Sequence, residues 1–387
     1  MLAEVKRFWS DDQNKKNILI ILLCYWVLNL IVYLPFIFHW GTYGRLEFGN
    51  NDTSVFARYW DGPFYAGVAK TMYDPGSTYF DHFDLAAVEY YTNHFPLFPL
   101  FIKAAGVIMP LEVSLLFVNA VFGVAGVVLL YYFFVIFLPK KEAAVLSLIG
   151  LVIPLRILVL RNVGNSEMVF FVFVVLLMIF AVKKRYYWAI IMAVLATLTR
   201  QAGVFLFPAF LIITYIYEQR NWRLYLASTL IPLTFIAVYL CLYMWVGGYE
   251  LMTRQGGFQM LVTPPPFSVM FLMGFNASGI FYLYLAYLIG IITALRDRMN
   301  EKLFKVGIIS AFAISYVFFS VHQDNSRYLW PFFAFAVLLP LNKIFQERRV
   351  QLALLILLPA ILLNVWSIIV SNQMPIEWFG RWLQAIR

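Results

Sequence analysis

Apolar runs of roughly 18 or more residues recur from one end of this chain to the other, and each can cross a hydrocarbon core about 30 Å thick. Lipid offers no partners to backbone N–H and C=O groups. A crossing segment must satisfy them internally, as a helix does, and the period-2 alternation of a membrane barrel is absent. Composition agrees: 63% of residues are hydrophobic and 13% charged, against about half and about a quarter in soluble domains. The chain reads as an all-α polytopic membrane protein. Its net charge of +9 does not point to nucleic acid, because the basic residues sit in short clusters between the apolar runs, where they report topology. Cys24 and Cys241 lie inside apolar runs and form no CxxC motif, so neither a disulfide nor a metal site is assigned to them. The first run, from about Ile18 to Phe38, is too long for a signal-peptide core and lacks a small-x-small exit, so it reads as an uncleaved first membrane helix.

The basic clusters are Lys140-Lys141, Lys183-Lys184-Arg185, Arg220 with Arg223, Arg296 to Lys305, and Lys343 with Arg348-Arg349. With the N-terminus cytoplasmic, all fall inside on one condition: the stretch His94 to Ile108 must lie along the outer surface. Its two prolines, its central Lys103 and its marginal length fit that placement. About eleven spans result: 17–38, 113–138, 143–160, 167–182, 187–200, 202–218, 223–246, 278–295, 303–321, 328–342 and 350–371, with the pair around residue 201 read as a broken helix. The expected organisation is a single transmembrane domain over 1–387. It has a long acidic first outer loop at 39–112 carrying juxtamembrane helices, and a second outer loop at 247–277. No soluble domain, low-complexity segment or internal repeat is evident. The expected location is a plasma membrane, with the active site outside the cytoplasm.

The outer loops carry the chemistry. In YWDGPFY, Asp61 stands between Trp60 and a Gly62-Pro63 turn, with Phe64 and Tyr65 close by. Packed rings would desolvate the carboxylate and raise its pKa toward that of a useful general base. The following residues have helical spacing, with Phe64, Val68 and Met72 on one stripe, so on the residues alone a helix N-cap is the plainer reading of Asp61. Asp81, His82 and Asp84 group like metal ligands but fit no known spacing. His94 stands alone before an aromatic-proline run, placed to contact an anion or to cap the surface helix. Arg200 and Arg327 lie at outer span ends. The planar guanidinium fork suits phosphate, and snorkelling to the interface is the plainer alternative. Asn165 and Glu167 stand at another span end, where a glutamate favours a helix N-terminus.

The ordered set YWDGPFY, HFPLFPLF, GNSEMVFF, LTRQAGVFLFPAF and SRYLWPFF resembles the PIG-V family of mannosyltransferases, part of the GT-C superfamily of integral membrane glycosyltransferases. The stretch GGYELMTRQGGF, containing Gln255, is similar to the family segment ending in glutamine and an aromatic. The resemblance implies a GT-C-like fold and an inverting enzyme. Such an enzyme moves a sugar, mannose by family expectation, from a polyprenyl-phosphate carrier to an acceptor hydroxyl at the outer face. It implies Asp61 as general base, Arg200 and Arg327 on the donor phosphate, and Trp60, His94, Asn165, Glu167 and Gln255 as substrate contacts. The acceptor it implies is a glycolipid, a polymer or a protein, and it leaves a divalent metal open. The alternative is a transporter or flippase of a lipid-linked substrate, which would cluster its polar residues at the membrane midplane.

Overall fold

A computed structural model describes residues 2–44, 46–48, 52–59, 61–82, 88–246, 277–318 and 325–387. The first helices are α1 (Leu2–Ser10), α2 (Asp12–Ile37), α3 (Asp61–Thr71), α4 (Tyr79–His82), α5 (Val88–Tyr91), α6 (Leu97–Ala105) and α7 (Leu111–Val135). Next come α8 (Lys140–Gly150), α9 (Arg156–Leu160), α10 (Glu167–Val182), α11 (Tyr186–Thr199), α12 (Leu206–Tyr217), α13 (Trp222–Ser228) and α14 (Leu230–Val246). The last are α15 (Ala277–Arg296), α16 (Glu301–Phe318), α17 (Asn325–Phe333), α18 (Asn342–Gln346), α19 (Arg348–Ser371) and α20 (Ile376–Ile386). The strand pairing described is a two-residue-per-strand hairpin, Thr42–Tyr43 with Leu46–Glu47.

The sequence dictates many of these boundaries. Asp11 caps α2 by accepting the Asn14 N–H at 3.0 Å, which satisfies one of the donors a helix start leaves open. Pro110, Pro139 and Pro375 stand just before α7, α8 and α20 with extended ψ, as the restricted φ of proline favours at a helix entry.

Helix α10 is the centre of the molecule. Between Glu167 and Lys183 it carries no polar side chain, and 14 of its 16 residues are buried. A helix apolar on every side must be enclosed on every side, and α7, α11 and α16 pack against it. The outer helices show the opposite pattern. Leu23, Trp26 and Leu30 on α2, Leu233 and Leu240 on α14, and Leu355 and Ile356 on α19 are exposed. An exposed apolar belt of that extent suits lipid. Among the described residues four helical stretches, Asp12–Ile37, Leu111–Val135, Trp222–Val246 (α13 and α14 together) and Arg348–Ser371, are long and apolar enough to cross a membrane.

Several expected spans are not continuous helices. The stretch 143–160 folds as α8 and α9, joined by a turn with a cis Ile153–Pro154 bond. The stretch 328–342 folds as α17, a π-helical turn Ala334–Leu338 and the start of α18. The pair 187–200 and 202–218 is broken at Arg200, whose backbone is extended, and resumes through the 3-10 turn Gln201–Phe205. At nine residues, α6 is about 14 Å long, too short to cross.

The two ends of the bundle differ in charge chemistry. Lys140 pairs with Asp11, Lys183 with Glu4 at 3.0 Å, and Lys184 and Lys305 with Glu301 at 2.9 and 2.6 Å. These basic clusters gather at the C-terminal end of α10. Its N-terminal end, at Glu167, lies roughly 24 Å away by helix rise.

Over that N-terminal end sits a second packed layer. Helix α3 is buried at Gly62 through Ala69, so it is enclosed and not merely laid on a surface. The C-terminal residues cover it: α20 packs on α4 and α3, and Trp382, Met374, Phe64, Val68, Tyr79 and Tyr91 share one apolar cluster. The backbone just before Asp61 is pinned by the same segment. Met374 N–H donates to the Arg58 carbonyl at 2.8 Å, and Arg58 Nη1 donates to the Met374 carbonyl at 3.0 Å. Trp382 is fully buried, and truncating a buried tryptophan costs about 3–5 kcal/mol. Trp382→Ala should therefore lower the thermal midpoint in detergent by several degrees; an unchanged midpoint would show that this layer does not support the fold.

Candidate active site

Glu167 is the first residue of α10, where the helix N-terminus favours an anion. Its side chain is only 1% exposed, and a single oxygen, Oε1, receives Arg200 Nη1 at 2.7 Å and Arg327 Nε. Arg200 comes from the end of α11 and Arg327 from α17. The other amino group of Arg327, Nη2, donates to Asp61 Oδ2 at the start of α3. Four elements thus meet in one line of charge, Asp61–Arg327–Glu167–Arg200, whose formal charges cancel.

Neutral groups extend the line. Arg200 Nη1 also donates to Ser166 Oγ at 3.1 Å, and Ser166 Oγ lies 2.6 Å from the Tyr65 hydroxyl. The Arg200 guanidinium sits 5.4 Å from the Tyr328 ring centre, within reach of a cation–π contact. Glycine permits two of these close approaches. A Cβ on Gly62 would lie 2.7 Å from the Ala57 carbonyl oxygen, and one on Gly203 would lie 2.5 Å from the Thr197 backbone. Larger residues there would push apart the segments that carry Asp61 and Arg200.

The four charged residues singled out from the sequence, Asp61, Glu167, Arg200 and Arg327, are brought together. The Asp61 carboxylate is spent on Arg327, which distinguishes it from a simple helix cap. It is also the most open of the four, with 25% of its side chain exposed. His94 is buried between Phe64, stacked at 5.2 Å, and Tyr65, edge-on at 4.7 Å. Pro96 occupies the N-cap position of α6, so His94 does not cap that helix. Asn165 is fully buried, and its amide atoms have no hydrogen-bond partner among the described residues. Trp60 and Gln255 lie outside the described residues, as do Asp84 and nearly all of 247–277. Asp81 and His82 are exposed at α4. Among the described residues no three His, Cys, Asp or Glu side chains converge as a metal site would require. Sequence reasoning missed the polar part played by Ser166 and the Tyr65 hydroxyl; the only signal for Ser166 was its place inside GNSEMVFF.

The protonation states follow from the surroundings. Burial is the largest influence on Asp61 and raises its pKa, but the Arg327 charge and hydrogen bond, with the neighbouring His94 and Arg200, together hold the carboxyl below its ordinary value. The sequence reading expected desolvation to win; it loses because a guanidinium is in direct contact. His94 is pushed down to about 4, chiefly by burial and against the pull of Asp61, so its imidazole is neutral at pH 7.

No protein-family model matches the chain, and no curated protein matches it. Solved structures do. ArnT from Cupriavidus metallidurans in the apo state aligns at 13% identity over 95% of this chain and 76% of that one, with a TM-score of 0.49. The oligosaccharyltransferase of Archaeoglobus fulgidus in the apo form aligns at 14% identity over 93% of this chain, with a TM-score of 0.52. The chain spans 57% of that oligosaccharyltransferase's length. The likeness to the oligosaccharyltransferase shows the fold alone, the all-α GT-C-like fold expected from the sequence.

A carboxyl with a depressed native pKa stabilises the fold above its unfolded pKa, and that stability is lost as pH falls through the native pKa. Asp61→Asn should therefore lower the thermal midpoint relative to wild type at pH 7, and the gap should narrow progressively as the pH falls below about 4. A gap that stays constant across that range would mean the Asp61–Arg327 pair is not formed.

Proposed function

We propose that this protein is an inverting glycosyltransferase that moves a sugar from a polyprenyl-phosphate carrier to an acceptor hydroxyl at the membrane interface. The observation that carries the reading is the convergence of a partly open carboxylate with two arginines at one end of a lipid-facing helical body. The PIG-V-like motifs named above contribute Asp61, Glu167, Arg200 and Arg327 to that one cluster, and mannose is the sugar that the family resemblance implies. The reading puts Asp61 outside the cytoplasm in a plasma membrane, with the basic clusters of the opposite end inside.

The chemistry follows from the groups present. Arg200 and Arg327 offer donors to the carrier phosphate and stabilise charge as it builds on that leaving group. The acceptor oxygen forms a bond to the anomeric carbon as the bond from that carbon to the phosphate oxygen breaks. The electron pair leaves with the polyprenyl phosphate, and the acceptor's proton passes to an Asp61 carboxylate oxygen. Attack from the face opposite the leaving group inverts the anomeric centre. The aromatic side chains of α3 and its neighbours supply flat apolar surface for a sugar ring or a prenyl chain. The acceptor, whether glycolipid, polymer or protein, meets the site from the α3 side, where Asp61 is partly open.

A transporter is the second reading. It fits less well, because α10 runs from Glu167 to Lys183 without a polar side chain, and the charged cluster sits at one end of that helix.

The test is transfer in detergent from radiolabelled polyprenyl-phosphate mannose to a membrane lipid extract. Wild type should transfer label, and Asp61→Asn should lose roughly 10²–10⁴ in rate, the usual worth of a general base. Equal transfer by both would remove Asp61 from the chemistry. No transfer by wild type from mannose or from other lipid-linked sugars would overturn the enzyme reading.

A further inference from the structure

The arrangement raises a difficulty that points to a further role. Two arginines suited to a carrier phosphate are already neutralised by two carboxylates. A phosphate entering the cluster must displace one carboxylate or bring a third anion against them. Which carboxylate gives way is decided by their surroundings.

Glu167 cannot readily let go. It is 1% exposed, its Oε1 is held by both arginines, and its Oε2 has no hydrogen-bond partner among the described residues. Stripping its last partners would leave a buried, unpaired charge, which is strongly unfavourable. Asp61 holds Arg327 through one described contact and is 25% exposed, so water or an acceptor hydroxyl can replace the guanidinium. Arg327 also reaches its two carboxylates through different nitrogens, Nε for Glu167 and Nη2 for Asp61. It can release Asp61 while keeping its grip on Glu167.

We propose that the donor phosphate and Asp61 compete for Arg327 Nη2, so that Asp61 is freed as a base only once a lipid-linked donor is seated. Glu167 is then a positioning residue: it touches no substrate and pins the two guanidinium groups side by side so that the phosphate meets both. The donor binds before the acceptor is activated, and a hydroxyl arriving first finds its base occupied. The inference rests on the donor reading above and goes beyond it in assigning opposite parts to two carboxylates of one cluster.

Binding of polyprenyl monophosphate, measured by intrinsic fluorescence on protein in nanodiscs, tests this without any transfer. Asp61→Asn should bind roughly tenfold more tightly than wild type, a coupling of ordinary size. That gain should vanish when Asp61→Asn is made in an Arg327→Gln background. Glu167→Gln should bind more weakly than wild type, because the arginines lose their anchor. General repulsion between carboxylates and phosphate predicts instead that both single variants tighten and that the gain persists without Arg327. Either of those results, or unchanged affinity in Asp61→Asn, would overturn the proposal. If Glu167→Gln does not fold, the Asp61→Asn and Arg327→Gln set still decides. Absence of binding by every protein would instead overturn the carrier-phosphate reading itself, and this inference with it.

Discussion

One buried carboxylate oxygen, Glu167 Oε1, receives two guanidinium groups, and the rest of the site depends on that contact. Charges taken out of water are tolerated only when each finds a partner with good geometry. The partners here come from α11 and α17, and the next link reaches α3. Satisfying Glu167 therefore fixes how the central helix, its neighbours and the covering layer meet at one end of the bundle. The apolar body of α10 sets the other half of the constraint. With no polar side chain before Lys183, the helix leaves no place for these charges except at its ends.

Asp61 is held from two sides. Inside, Arg327 binds its carboxylate. Outside, the C-terminal segment brackets the preceding backbone through Arg58 and Met374, and Trp382 closes the apolar cluster over α3. The segment around Met374 and Trp382 thus helps fix the position of Asp61. A carboxylate on a loop helix gains in this way the rigidity that the proposed base role needs, while staying partly open.

Much of this was legible in the sequence. Spanning runs declare themselves by length and hydropathy, because lipid imposes one solution on the backbone. Asp61, Glu167, Arg200 and Arg327 stood out because a charge at the edge of an apolar run is costly and so needs a reason. Their mutual pairing was not legible. It joins residues as distant in sequence as Asp61 and Arg327, and no local pattern encodes that contact. The same gap explains the error in the protonation of Asp61: its aromatic neighbours in sequence argued for desolvation, and Arg327, foremost of the groups that together outweigh burial, lies more than two hundred residues away. The breaks within 143–160 and 328–342 escaped notice because hydropathy reads through a proline or a π-turn without interruption. Helix α20 was missed because eleven residues are too few to register beside membrane spans, although their alternation of apolar and polar positions suits a packed cover.

In the proposed mechanism one charged cluster holds a lipid-linked donor and presents a freed Asp61 to the acceptor. The most direct measurement is a cryo-EM structure in nanodiscs with a non-transferable polyprenyl-phosphate sugar bound. The account predicts the phosphate against Arg200 and Arg327, the Glu167 contacts intact, and Asp61 released from Arg327 beside the anomeric carbon. A donor bound elsewhere, with the Asp61–Arg327 pair undisturbed, would contradict it.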